Sequence, residues 1–290
     1  MKMKKKLLIA LSSTLLALTF SASAKSPLWK VSKGDDHLFI GGTIHMLSKS
    51  DFPLPAEFEK IYKQSEQLVF ETDMKKLQEP EMQMKMFQKL SYQDGTLLKD
   101  HLKPETYKAL EDYTAKAGIS MLMIYKFKPG MAATILSVIE LQKLGVDSEG
   151  VDAFYSNKAT EDKKVLGKLE TVETQINFLA SLGEKNPDEF IMYTLRDMKK
   201  LPEMFGDMKN AWKTGDTQKL TDIGITPMKS EFPDIYQNLI LKRNNAWIPQ
   251  IEMMMKTKEI EMILVGALHL AGDDSVLAQL KKLGYTIEQY

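Results

Sequence analysis

The sequence predicts an α/β (or α+β) fold with a mixed central sheet, in which Gly-x-x-His motifs lie at strand ends and many helices flank the sheet. One observation is the alternation of short apolar, β-rich runs with longer amphipathic segments. Another is the chain's ending, where a strand at 261–265, a helix at 273–283 and a strand at 285–288 form a βαβ pattern with parallel strands. A long helical stretch at about residues 75–145 is a predicted insertion or lid.

The individual elements follow from local patterns. Residues 28–31 and 37–44 are apolar runs on either side of Lys33-Gly34-Asp35-Asp36, a turn signature that predicts an opening hairpin. Pro53 and Pro55 precede an amphipathic helix. The remaining predicted elements are a helix at 56–65, a strand at 67–70, helices within 75–144, a strand at 165–169, a helix through Gln175 and Leu179, and helices at about 188–212 and 236–255.

Residues 1–24 have the pattern of a cleavable secretory signal peptide, so they are excluded from the fold. A basic cluster at 1–6 precedes a mostly apolar run at 7–20 and the small residues Ser21-Ala22-Ser23-Ala24. The apolar run of 14 residues is shorter than the roughly 20 that span a bilayer. We therefore expect export to the periplasm or the exterior, no stable membrane anchor after cleavage, and a single domain at residues 25–290.

The composition narrows the chemistry that the chain can perform. Its 290 residues include no cysteine, which excludes a disulfide framework, a thiolate nucleophile and cysteine-ligated metal sites. The 39 basic residues balance 39 acidic ones, and signal cleavage removes four of the lysines, so the charge does not favour nucleic acid as a partner. The four histidines are therefore the first candidates for a functional site.

Two of these histidines, His45 and His269, each end a Gly-x-x-His motif that follows an apolar strand. Ligands bind at strand ends in open sheets, and glycine allows the backbone to approach closely there. Glu71 also follows an apolar strand, and two imidazoles with one carboxylate are a common ligand set for a divalent metal. The alternative is that each histidine is a hydrogen-bonded structural residue.

Arginine is rare in this chain, since residues 25–290 contain only Arg196 and Arg243. Because lysine serves the general surface, the planar guanidinium of Arg243, inside a predicted helix, is a candidate for binding a substrate carboxylate or stabilising an oxyanion. A surface ion pair with a neighbouring acid is the alternative.

Taken together, these motifs resemble the TraB/GumN family (TraB/PrgY-like), which is related to the Tiki metalloproteases and more distantly to erythromycin-esterase-like and ChaN-like proteins. The matching segments occur in family order and span residues 28–290, so the ordered set is specific although each segment is short. They are Gly41-Gly42-Thr43-Ile44-His45, Leu68-Val69-Phe70-Glu71-Thr72-Asp73, Gly150-Val151-Asp152, Lys164-Val165-Leu166-Gly167-Lys168-Leu169-Glu170-Thr171 with Gln175, Lys242-Arg243-Asn244, Leu264-Val265-Gly266-Ala267-Leu268-His269, Gly272, and Leu280-Lys281-Lys282-Leu283-Gly284-Tyr285.

The resemblance implies a metal-dependent hydrolase in which His45, Glu71 and His269 hold the metal ion. The candidate catalytic residues that it implies are Glu71, Glu170, Arg243 and Asn244. Tiki-like members are described as peptidases that use manganese or cobalt, so Mn or Co is the expected cofactor. Zinc and iron also fit mixed nitrogen and oxygen ligands. Other TraB-like members are associated with the inactivation of peptide pheromones.

We therefore expect an exported metal-dependent hydrolase that cleaves peptide or amide bonds in a peptide or small-molecule substrate. The first alternative is a non-catalytic periplasmic binding protein that sequesters a peptide or an iron or haem ligand with the same histidines. The second is a structural exported domain. Residues 75–144 match no family motif, so substrate choice is expected to reside there, and the sequence makes no prediction of an oligomeric state.

Overall fold

The computed structural model describes residues 25–290. The predicted signal peptide at residues 1–24 lies outside the described residues and stays a prediction. In the described part of the chain, no helix is both long enough and apolar enough to cross a membrane.

The strands form a six-stranded mixed sheet and a separate two-stranded sheet, which confirms the predicted mixed central sheet. In chain order they are β1 (Leu28–Lys33), β2 (Asp36–Thr43), β3 (Met46–Leu47), β4 (Gln67–Phe70), β5 (Ser148–Glu149), β6 (Val165–Lys168), β7 (Glu261–Gly266) and β8 (Thr286–Gln289). The large sheet has the order β6-β4-β7-β2-β1-β8, and its first four strands are parallel. β1 pairs antiparallel with both β2 and β8, while β3 and β5 form the small antiparallel sheet.

Helices cover both faces of the large sheet. They are α1 (Ala56–Gln64), α2 (Pro80–Leu90), α3 (Pro104–Ala117), α4 (Pro129–Lys143), α5 (Val151–Glu161), α6 (Val172–Ser181), α7 (Pro187–Met198), α8 (Leu201–Lys213), α9 (Thr217–Leu220), α10 (Thr226–Glu231), α11 (Pro233–Tyr236), α12 (Lys242–Met254) and α13 (Val276–Lys282). Phe39 and Leu68 pack on one face with residues of α1, α5 and α8. Their neighbours Ile40 and Val69 pack on the other face with residues of α12 and α13, because successive side chains of a strand point to opposite faces.

The four parallel strands bring their carboxyl ends to one edge of the sheet. Thr43 at the end of β2 pairs with Gly266 at the end of β7. Phe70 at the end of β4 pairs with Lys168 at the end of β6. The segments that follow these strands, including both Gly-x-x-His motifs, therefore leave the sheet side by side at the edge where open α/β sheets bind ligands.

The chain's ending differs from a simple βαβ unit. β7 and β8 run in the same direction, as predicted, but β2 and β1 lie between them. β2 is buried from Leu38 to Thr43, whereas β8 alternates exposed and half-buried residues. The opening hairpin therefore takes the interior position beside β7, and β8 closes the sheet as an edge strand.

The helices of the structure differ from the predicted ones in two places. The helical stretch predicted at about 188–212 consists of α7 and α8 with a break at Lys199 and Lys200, because Pro202 is tolerated in the first turn of α8 but not inside a continuous helix. Residues 217–231, for which no element was predicted, form α9, a π-helical segment at Thr221–Ile225, and α10. A second π-helical segment, Gln237–Leu241, joins α11 to α12, and Arg243 is the second residue of α12. Such segments often occur at functional sites.

Three helices, α2, α3 and α4, form most of the region at residues 75–145. Each begins at a proline, namely Pro80, Pro104 and Pro129, because the first turn of a helix does not need the missing N–H. Leu110 of α3 and Ile191 of α7 belong to one buried cluster, so this region packs against the helices that follow β6.

Candidate active site

Polar side chains from four strand ends and one helix meet at the carboxyl edge of the sheet. His45 follows β2, Glu71 follows β4, Glu170 follows β6, His269 follows β7, and Arg243 projects from α12. Glu71, Glu170 and His269 are all in direct contact with Arg243. The structure therefore gathers the separately predicted site residues in one place.

Arg243 lies at the centre of this cluster. Its side chain is 9% exposed, and its guanidinium donates hydrogen bonds to both Glu71 and Glu170. The contact from its Nη2 to Oε1 of Glu170 is 2.6 Å, and its Nη1 lies 2.9 Å from Nε2 of His269. Charge-assisted bonds of this kind fix the orientation of the guanidinium. The alternative of a surface ion pair is therefore wrong for Arg243, and it describes Arg196, whose ion pairs are exposed.

Glu71 is a buried carboxylate that remains ionised. Its Oε1 accepts a hydrogen bond from the backbone N–H of Gly266 at 2.7 Å, and its Oε2 accepts one from Nε2 of Gln175 at 3.2 Å. Burial by itself raises the pKa of Glu71, but the attraction of His269, which is charged in acid, and of Arg243 outweighs burial and lowers it to about 2. At neutral pH the carboxylate is therefore charged, and it can serve as a metal ligand or as a base.

His269 is a buried, neutral imidazole on the turn Ala267–Leu270. Because arginine has no acceptor, Nη1 of Arg243 donates to Nε2 of His269. Nδ1 therefore carries the hydrogen, which it donates to Oδ1 of Asn244 at 2.6 Å. Burial lowers the pKa of His269 to about 3, so the ring is uncharged at neutral pH. The ring also packs on Trp247, with centroids 4.5 Å apart.

His45 is the solvent-facing member of the pair, with 68% of its side chain exposed. Its Nδ1 lies 2.8 Å from Oδ2 of the buried Asp152, which also accepts a hydrogen bond from the hydroxyl of Thr43 at 2.8 Å. The charge of Asp152 raises the pKa of His45 to about 9, although water screens part of this attraction. Gly150 allows the close approach of α5, since a Cβ there would lie 2.1 Å from the carbonyl oxygen of Ile44.

The three predicted metal ligands border one small space beside Gly266. A Cβ added at Gly266 would lie 3.2 Å from Oε1 of Glu71, 3.7 Å from Cδ2 of His269 and 3.8 Å from Nε2 of His45. A cavity of about 270 Å³ lies against His45 and Glu71, so a substrate has access to two of the three side chains. Glycine therefore keeps open a space that any larger residue would fill.

The donor chemistry at this space fits a divalent metal ion. Both imidazoles have Nδ1 held by a polar side chain, so Nε2 is the atom left for an ion, as is typical of metal-binding histidines. Because the pKa of His45 is raised, ion binding at its Nε2 releases a proton. Within residues 25–290, no group of three His, Asp or Glu side chains already stands in an arrangement that would hold a metal. Nε2 of His269 instead accepts a hydrogen bond from Arg243, so ion binding requires that this bond be given up.

Several residues have roles that the sequence did not assign. Asp152 and Gln175 lie within segments of the family resemblance, which was the available signal, but only the structure shows that they contact His45 and Glu71. The fully buried Asn244 contacts His269, so it positions another residue rather than facing the cavity. Glu170 likewise contacts Arg243.

The sequence did not indicate Trp247 as a site residue. It lies one turn after Arg243 on α12, and side chains four residues apart on a helix are neighbours. Its ring lies 4.9 Å from the guanidinium carbon of Arg243 and also contacts His269. Trp247 therefore forms the apolar wall behind the buried half of the site.

The chain is similar to known proteins over nearly all of the described residues. The model of the TraB/PrgY/gumN family matches residues 27–289. The chain is 26% identical over 249 residues to the uncharacterized protein YbaP of Escherichia coli (strain K12), a match that covers 86% of this chain and 89% of that protein. YbaP of Shigella flexneri matches with the same identity and coverage. No solved structure is significantly similar to the chain. The protein therefore belongs to the TraB/PrgY/gumN family.

Proposed function

We propose that this protein is an exported metal-dependent hydrolase that cleaves peptide or amide bonds. The observation that carries the proposal is the space beside Gly266, which is bordered by Nε2 of His45, the ring of His269 and Oε1 of Glu71. An ionised carboxylate with two imidazoles is a donor set that hydrolases use for divalent metals.

His45, Glu71 and His269 would hold the ion, with manganese or cobalt as the first candidates. A divalent ion at this place would supply Lewis-acid chemistry, since it would polarise the substrate carbonyl and lower the pKa of a nearby water. Asp152 and Asn244 keep the two imidazoles in orientation, because their side-chain oxygens accept hydrogen bonds from Nδ1–H of each ring. This fixed orientation lowers the entropy lost when the site binds its ligands.

Glu71 is the group that can accept the proton of the attacking water when it does not itself complete the ligand set. Its low pKa keeps it unprotonated at neutral pH, which suits a metal ligand better than a base, and the N–H of Gly266 holds one of its oxygens in place. Gln175 holds the other oxygen, so the carboxylate cannot turn away from the cavity.

Arg243 supplies the positive charge for the oxygen that becomes negative during hydrolysis, or for a substrate carboxylate. When His269 has a ligand at Nε2, the Nη1–H that it now receives from Arg243 is free to donate to the substrate. Glu170 holds the remainder of the guanidinium, so this donor stays at the edge of the site.

Removal of the metal tests the proposal. The chain from residue 25 onward, incubated with a peptide library in Mn²⁺ or Co²⁺, is expected to cleave peptides, and EDTA is expected to abolish the cleavage. Re-addition of the ion should restore it, with products followed by mass spectrometry. Cleavage that survives exhaustive chelation would contradict the proposal, and intact peptide that stays bound without cleavage would favour a sequestering protein.

Gly266→Ala tests the shared space itself. The added methyl group would enter the space between the three donors, so we expect hydrolysis to fall about 10²-fold. The free energy of unfolding should change by about 1 kcal/mol or less, because Gly266 has a φ of −51° that alanine readily adopts. The matched control is Gly42→Ala in the other motif, whose methyl group would contact Ala267 and Leu270 instead. Equal activities of the two variants would count against the shared space.

A further inference from the structure

A second cavity, of about 390 Å³, lies between the end of α6, the start of α7 and the junction of α10 with α11. We call it the aromatic cleft, and we define it by Phe178, Phe190, Tyr193 and Phe232 on its walls and by Glu184 and Glu189 among its carboxylates. None of these residues takes part in the proposed reaction. Its volume lies in the range of small-molecule and side-chain binding pockets.

The aromatic cleft is connected to the candidate active site through two elements. Phe178 is three residues after Gln175 on α6, and Gln175 donates a hydrogen bond to Glu71. Residues three apart lie on the same face of a helix, about one turn or 5 Å apart along the axis. Asn238, another residue of the cleft, precedes Leu239, whose carbonyl oxygen accepts a hydrogen bond from Arg243 at 3.3 Å.

The rise of about 5 Å along α6 from Gln175 to Phe178 is comparable to the length of one or two residues of an extended peptide. An extended peptide advances about 3.3–3.6 Å per residue. A residue one to three positions from the bond under attack would therefore place its side chain at the aromatic cleft. The cleft would then select the substrate, while the strand-end residues act on it.

The walls of the cleft are aromatic and firmly packed. The rings of Tyr193 and Phe232 meet edge to face with centroids 4.9 Å apart. Gly183 adopts a left-handed φ of 72°, and a Cβ there would lie 2.8 Å from the ring of Phe190, so glycine leaves room for that ring. Aromatic walls of this kind attract both aliphatic stems and cationic groups.

The charges around the cleft favour a cation. Its lining contains the carboxylates of Glu184, Glu189, Glu231 and Asp234 and one lysine. Glu231 is already paired with Arg196, and Asp234 with Lys185. Glu184 and Glu189 are exposed and form no ion pair with any residue in the described part of the chain. These carboxylates would repel an acidic side chain. The methylene groups of a lysine or arginine side chain could pack on the aromatic rings, and its charged end could pair with Glu184 or Glu189.

We propose that the aromatic cleft binds a lysine or arginine side chain of the peptide substrate, at a position within three residues of the cleaved bond. The proposal rests on the proposed hydrolase function for its link to cleavage. The binding itself depends only on the cleft.

The test uses alanine pentapeptides that carry a single lysine, arginine, leucine or glutamate at each position in turn. With the metal-loaded protein, kcat/KM for the best lysine or arginine peptide is expected to exceed that for the glutamate peptide. In the Glu184→Gln/Glu189→Gln variant this preference should shrink about three- to tenfold, with the leucine peptide unchanged. The matched control is Glu259→Gln, which removes an exposed carboxylate just before β7, at the opposite end of the sheet.

Binding of the same peptides to the chelated protein separates this inference from the hydrolase proposal. Tighter binding of the lysine peptide than of the glutamate peptide, lost in the double variant, supports the cleft even when no peptide is cleaved. Cleavage without a preference for basic residues, or a preference that the double variant retains, would contradict the binding of a basic side chain in the cleft. The hydrolase proposal would not be affected. Equal binding of lysine and glutamate peptides would overturn the proposal for the cleft in either case.

Discussion

Arg243→Met is expected to destabilise the protein by about 3–5 kcal/mol, because it leaves the carboxylates of Glu71 and Glu170 buried without their cation. The free energy of unfolding, measured by urea denaturation in the presence of EDTA, checks this expectation. Methionine approximates the length of the arginine stem, so the loss reflects the charge more than the volume. The effect is large because the guanidinium contacts three groups that lie at three different strand ends.

The matched control is Arg196→Met, which removes the other arginine of residues 25–290. Its ion pairs with Asp197 and Glu231 are exposed, so we expect a change of about 1 kcal/mol or less. Equal stabilities of the two variants would contradict the buried ionic cluster. A second check is Arg243→Met/Glu170→Gln, which should recover part of the loss because one of the two unpaired charges is gone.

The loss of stability in Arg243→Met is expected to depend on pH. In the wild-type protein the pKa of Glu71 falls from 4.5 to about 2, so its stabilisation is fully present above pH 4.5 and is lost as the pH falls through about 2. In Arg243→Met one of the charges that lower this pKa is gone while burial remains, so the pKa rises, the carboxyl takes up a proton more readily and the variant recovers in acid. The difference in unfolding free energy between the two proteins should therefore be largest at neutral pH and should narrow between about pH 4.5 and 2.

His45→Ala/His269→Ala is expected to lose hydrolysis on the order of 10³-fold or more, because Lewis-acid stabilisation of several kilocalories per mole is removed. The measurement is kcat/KM on the best peptide of the library in saturating Mn²⁺ or Co²⁺. The matched control is His37→Ala/His101→Ala, since His37 lies on β2 before its buried core and His101 stacks on Tyr92 away from the site. The control pair should retain its activity.

Full activity of the His45→Ala/His269→Ala protein would contradict the assignment. A loss of activity that accompanies unfolding is separated from a loss of chemistry by the conservative variant His45→Gln, since His45 is largely exposed and its replacement leaves the core intact. Of the two histidines, His269 is the one whose replacement also removes a packing contact with Trp247.

Much of the fold was predictable because local patterns and tertiary structure agree. The strand predicted at 67–70 is confirmed at Gln67–Phe70, where a short apolar run forms a buried strand of the sheet. The place of the C-terminal strand was not predictable, since strand order depends on which of β2 and β8 has more apolar surface to bury beside β7. No helix was predicted at residues 217–231 because Gly224 and Pro227 interrupt the helical pattern. In the structure Gly224 lies in a π-helical segment and Pro227 lies in the first turn of α10.

The candidate site was predictable as a set of strand ends, and its internal contacts were not. Parallel strands that each end in a polar residue predict that His45, Glu71 and His269 lie at one edge, and the structure places them there. The two histidines share the same motif, yet one is exposed and the other buried, because Asn244 and Trp247 of α12 contact the ring of His269, whereas the ring of His45 is largely open to solvent. Contacts between residues far apart in sequence, such as that of Arg243 with Glu71, follow from helix placement and leave no local pattern.

The metal content of the purified protein tests the central claim most directly. The chain from residue 25 onward, dialysed against Mn²⁺ or Co²⁺ and then against metal-free buffer, is expected to retain about one ion per molecule, as the single shared space beside Gly266 implies. His45→Ala/His269→Ala, shown to be folded by circular dichroism, is expected to retain none. Retention of one ion by the folded double variant, or none by the wild-type protein, would contradict the account.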